Sequence, residues 1–73
     1  MTKDAVNKLV TQLIKKHKFK FDKKDKDALT LYAYKVMNNT MTYPDMEEKE
    51  REEHKKHAVY TMMEIVSSRN QAS

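Results

Sequence analysis

The chain has no glycine and one proline, Pro44, in 73 residues. Hairpin turns in β-sheets rely on positive-φ residues, and glycine supplies them at least cost. A chain without glycine is a poor candidate for an all-β domain. Nor can it carry a P-loop or a glycine-rich dinucleotide fingerprint. Glu, Lys, Leu, Met and Ala dominate instead, and these are helix formers. The expected fold class is all-α.

The length fits one domain, taken as residues 1–73. So short a chain buries little surface, and proteins of this size add disulfides, a metal, a partner or unusually regular helix packing. Cysteine is absent, which removes disulfides and fits a reducing setting. No apolar run approaches the ~18 residues needed to span a bilayer. The opening MTKDAVNKLVTQLIKK is amphipathic and lacks the apolar core of a signal peptide. The expectation is a cytoplasmic protein with no membrane partner. Lys outnumbers Arg 13 to 2, a bias that fits AT-rich coding and a bacterial or phage origin.

Apolar periodicity marks three helices. Val6, Leu9, Val10, Leu13 and Ile14 recur at i, i+3, i+4, i+7 and i+8, so a first helix runs from about residue 3 to 18. Thr2 or Asp4 can cap it, and Lys15, Lys16 and Lys18 suit its C-terminal end. Phe19-Lys20-Phe21 forms the corner. Asp22, Asp25 and Asp27 are all candidate caps for a second helix over about 25–39, with Leu29, Tyr32, Ala33, Val36 and Met37 inward. Asn38 and Asn39 tolerate the left-handed conformation that ends a helix. Pro44 suits the first turn of a third helix, with Asp45 and Glu48 as a capping pair. That helix is expected over about 44–68, with a frayed tail at 69–73. At 1.5 Å per residue it is ~37 Å long, against ~20–25 Å for the others. The architecture is a small three-helix bundle with a long, protruding third helix.

Residues 47–57, EEKEREEHKKH, contain no apolar side chain. The pairs Glu47–Arg51, Lys49–Glu53 and Glu52–Lys56 fall at i, i+4, and acidic residues crowd the start, where the helix dipole favours them. A solvated, self-supporting helix explains the stretch. A metal site at His54 and His57 is the sharper alternative, but the spacing is not HExxH and Lys55 and Lys56 would oppose a cation. No metal and no cofactor are expected.

The following AVYTMMEIV, residues 58–66, has only Thr61 and Glu64 as polar side chains. A helix apolar nearly all round is buried on more than one side. Two neighbouring helices cover one side, so the other is expected to meet a second copy (a homo-oligomer, simplest as a dimer) or another protein. The candidate interface is Val59, Tyr60, Met63 and Val66, joined by Leu31, Tyr34 and Met46. Leu31 and Tyr34 fall off the inner stripe of their own helix. Met-rich surfaces adapt to partners, and Met37, Met41, Met46, Met62 and Met63 gather around the second connection and third helix.

Charge is segregated. Residues 1–26 hold nine Lys and three Asp, residues 27–53 hold three basic and seven acidic side chains, and residues 54–73 three basic and one acidic. Lys15, Lys16, Lys18, Lys20, Lys23 and Lys24 form a basic corner able to contact phosphates, and Phe19 and Phe21 beside them could stack on bases or plug the core. A helix-turn-helix reading fails because the third helix would present Glu47, Glu48, Glu50, Glu52 and Glu53 to DNA. In an up-down-up bundle the basic corner and this acidic start lie at opposite ends, which favours antiparallel pairing of two copies.

Catalysis has little support. Ser67, Ser68 and Ser73 fall in the expected tail, the carboxylates lie in charged runs, and so thin a bundle leaves little room for a pocket of ~300 Å³. The chain reads as a non-catalytic regulatory or interaction protein without a small-molecule substrate. A small basic nucleic-acid-binding protein is the alternative.

Overall fold

The computed structural model describes residues 1–39 and 43–72. It is an all-α three-helix bundle: α1 (Lys3–His17), α2 (Lys23–Met37) and α3 (Glu48–Ala72). Its extents are 40 × 22 × 19 Å. The 25-residue α3 sets the long dimension, as 1.5 Å per residue requires.

Each helix boundary has a local cause. Thr2 caps α1, its Oγ1 accepting the Ala5 N–H at 3.1 Å. Of the three candidate aspartates, Asp22 caps α2, accepting the Asp25 N–H at 2.8 Å. The helix therefore starts at Lys23, two residues earlier than the periodicity suggested. Lys18 ends α1 in the left-handed region at φ 55°, ψ 43°. Glycine normally holds such a position. Asn38, expected to take that conformation after α2, has φ −101° instead.

Pro44 does not open α3. The Met46 N–H donates to the Tyr43 carbonyl at 3.2 Å, which closes a turn with Pro44 and Asp45 at its two central positions. Proline is pre-set for the first of these. The helix begins only after that turn, at Glu48, so the expected pairing of Asp45 with Glu48 inside one helical start does not form. Thr40, Met41 and Thr42, expected in the second connection, lie outside the described residues, as does Ser73.

The core is one cluster: Val6 and Val10 from α1, Leu29, Ala33 and Met37 from α2, Val59 and Met63 from α3. Val59 and Met63, expected on an outer interface, are fully buried. They share a stripe with Ser67, at i, i+4 and i+8, and this stripe faces the other two helices. The sequence window looked apolar on every side because the core stripe and the outer residues interleave within nine positions.

The tail expected to fray is held. Ser67 is 3% exposed, and its Oγ accepts the Lys20 N–H at 2.9 Å. Asn70 Nδ2 donates to the Lys20 carbonyl at 2.7 Å and to Asp25 Oδ2 at 3.0 Å. The α1–α2 corner thus has its backbone polar groups satisfied by α3, and α3 continues to Ala72. At the other end, Lys55 Nζ donates to the carbonyls of Met37 at 3.5 Å and Asn39 at 2.5 Å. A cation there meets the negative end of α2.

Two stability outcomes follow. Lys18→Gly removes the left-handed penalty and is expected to stabilise by ~0.5–1 kcal/mol, roughly 3–6 °C in Tm for a chain of this size. Met63→Ala is expected to cost ~2–5 kcal/mol, a large part of the ~4–11 kcal/mol that 73 residues typically provide. Thermal and urea unfolding followed by circular dichroism measures both, and a Lys18→Gly protein that melts lower would contradict the first.

Candidate interaction surfaces

The seven candidate interface residues do not form one surface. Val59 and Met63 are core. Val66 is half-buried and packs against that core, together with Met62. Met46 is half-buried in the turn before α3. Tyr60 joins a ring cluster at the α1–α2 corner. Leu31 and Tyr34 line a cleft of about 230 Å³ between α1 and α2, with Lys3, Val6, Asn7, Asp27 and Thr30. Leu31 is 54% exposed there, and Lys3 Nζ lies 5.8 Å from the Tyr34 ring centroid.

The corner cluster is built from three elements. His17 at the end of α1 stacks on Phe19, with centroids 5.4 Å apart and planes 28° apart. Tyr60 of α3 approaches both, at 4.7 Å from His17 and 5.9 Å from Phe19. Phe21 lies 5.7 Å from Phe19, and His57 lies 6.2 Å from Tyr60. Phe19 and Phe21 are half-buried against the core, so they do more plugging than presenting. The two histidines were not expected here. His57 follows from i, i+3 spacing, one turn before Tyr60, and His17 from its place as the last residue of α1.

Hydrogen bonding to the Glu64 carboxylate raises the Tyr60 phenol above its usual 10.0, with desolvation and the Glu64 charge adding in the same sense. Deprotonation would place an anion beside Glu64, so the folded state holds that proton more tightly than the unfolded chain. The sign follows directly: the contribution is complete below pH 10.0 and is lost as pH rises through the folded value.

Around these rings Lys15, Lys16, Lys18, Lys20, Lys23 and Lys24 are all exposed. Among the described residues none of the six is paired with a carboxylate; the one ion pair there is Lys56–Glu52, at 3.7 Å. Two aspartates in this region have structural duties. Asp22 caps α2, and Asp25 receives Asn70. The corner keeps a net positive charge, reduced by the Asp22 and Asp25 carboxylates within it.

The acidic start of α3 lies at the opposite end. Lys55 marks the level of the α2 C-terminus, so the helical turns before it extend beyond α2. Their self-stitching is thinner than expected. Glu52–Lys56 forms, but Arg51 turns inward, half-buried, and its Nε has no hydrogen-bond acceptor. His54 stands 5.3 Å from Tyr43, ring to ring. Among the described residues no three His, Cys, Asp or Glu side chains converge on a metal-sized site.

A second cleft, of about 360 Å³, opens at this end, against the expectation that the bundle is too thin for one of ~300 Å³. Met1, Met37, Asn38, Glu48, Arg51, Glu52 and Lys55 line it. The room comes from the overhang, where α3 runs past its neighbours. The Met1 nitrogen donates to Asn38 Oδ1 at 2.7 Å across its mouth. No Ser, Thr, Cys or His occurs among the described lining residues.

On the outer side of α3, Ile65 is 46% exposed. Sequence reasoning placed it in the apolar segment but not in the interface. The signal was available: Ile65 lies two positions beyond core residue Met63, about 200° around the helix. No described helix is long and apolar enough to cross a membrane. Comparison with protein-family models, curated proteins and solved structures found no match.

Difference absorbance at 295 nm between the native chain and Tyr60→Phe should show a tyrosine titrating above 10.0. Glu64→Ala should return it toward that value. An unshifted Tyr60 in the native chain would remove the Glu64 interaction from this account.

Proposed function

We propose that this is a small, non-catalytic interaction protein of the cytoplasm, regulatory in role, that works by pairing helix faces with a second copy of itself or with another protein. It uses no cofactor and no small-molecule substrate. The observation that carries this reading is the separation of charge along the 40 Å axis. One end bears six exposed lysines, none of them paired with a carboxylate among the described residues. The other bears an acidic helical start extending beyond the helix it packs on. Such an arrangement is complementary to itself when one copy is inverted, and electrostatic complementarity of this kind fixes orientation and partner choice. Exposed Leu31 and Ile65 supply apolar surface that a partner could cover.

A second reading has its own observation. Exposed lysines beside the His17–Phe19 ring stack resemble the combination used to hold single-stranded nucleic acid, with backbone contacts from cations and stacking from rings. The half-burial of Phe19 and Phe21 weighs against it, since both rings already serve the core.

Sedimentation velocity across protein concentration, at low and high salt, tests the first reading. Expected is a species of twice the 8.7 kDa chain mass that weakens as salt screens the end charges. A mobility-shift titration with a single-stranded oligonucleotide tests the second. If Lys20→Glu with Lys23→Glu abolishes oligonucleotide binding while the chain stays monomeric at all concentrations and captures no protein, the nucleic-acid reading replaces the first.

A further inference from the structure

The outer edge of α3 repeats at coiled-coil spacing. His54, Ala58, Thr61, Ile65 and Ser68 follow one another at alternating intervals of four and three. Four of them are exposed, and Ala58 is half-buried. Ile65 is 46% exposed.

We propose that this edge pairs with the same edge of a second, antiparallel copy about a two-fold axis at Thr61; the inference rests on the self-association reading above. An axis there sets His54 of each chain level with Ser68 of the other, and Ile65 level with His57, one residue (~1.5 Å) from Ala58. Ile65 is the exposed knob, and Ala58 is small enough to leave the hole that receives it. Charge selects the direction. Ser67 and Asn70 tie the C-terminal half of α3 to Lys20 in the basic corner. Inverting the second copy therefore brings its acidic α3 start to the end of the first that holds Arg69 and the lysine corner, twice per dimer. A parallel pair would put acid beside acid and lysine beside lysine. The two-fold also satisfies the rule that a residue pair made in one direction recurs in the other. The cleft holding Leu31 and Tyr34 is lined by α1 and α2, with no α3 residue among the described lining residues.

The chain has no cysteine, so single introduced cysteines report the geometry cleanly. Under mild oxidation Thr61→Cys is expected to form a disulfide-linked dimer. His54→Cys and Ser68→Cys should stay unlinked alone and cross-link when mixed. Ile65→Lys, at an exposed position that folding does not need, should weaken the dimer about tenfold or more, and Leu31→Lys should leave it unchanged. If the native chain sediments as a dimer but Thr61→Cys stays unlinked, or if the separate 54 and 68 variants link to themselves, this edge or its direction is wrong while self-association stands. If the native chain is a monomer at every concentration, self-association itself fails and takes this inference with it.

Discussion

The bundle depends on α3 holding the α1–α2 corner and the C-terminal end of α2 at once. Val59 and Met63 fill the centre against Val6, Val10, Leu29, Ala33 and Met37. Below them Ser67 and Asn70 satisfy the backbone of Lys20, and above them Lys55 reaches the carbonyls of Met37, the last residue of α2, and of Asn39 just beyond it. Buried or half-buried backbone groups at helix junctions need partners. Here polar side chains of α3 provide them, at positions that a hydrophobic pattern does not mark.

This arrangement explains the charged run EEKEREEHKKH. It is not merely a solvated stem. Lys55 ties its second half to α2, and its first half extends past α2. The overhang opens a cleft at that end and leaves the acidic side chains far from the lysine corner. The polarity of the molecule thus follows from the antiparallel course of α2 and α3, which puts the lysine corner and the acidic start at opposite ends.

Much was legible beforehand. Missing glycine, helix-forming composition and the i, i+3, i+4 stripes give three helices and their order. Thr2 and Asp22 were among the caps foreseen. The differences share a cause: a neighbour or a competing local motif overrides a local rule. Pro44 suits a helix start but serves a turn closed by Met46 on Tyr43. Nothing local caps the expected frayed tail at 69–73, yet Asn70 is bound to Lys20 and Asp25. Lys18 rather than Asn38 takes the left-handed conformation, since the first corner must turn within the five residues from Lys18 to Asp22 and a positive φ reverses the chain fastest.

The candidate interface shows the same division. Periodicity identified an apolar segment too rich for one face, and that surplus is real in Ile65. It did not say which residues were surplus, because a helical stripe has no direction until its neighbours are placed. The sequence by itself determined the helical class, the unequal helix lengths and the opposed charges, since these follow from residue type, spacing and 1.5 Å per residue. Only the tertiary structure decided that Val59 and Met63 face inward and Ile65 outward, and that Ser67 and Asn70 close the corner. Burial and side-chain-to-backbone pairing belong to contacts between segments up to 50 residues apart, which no local window contains.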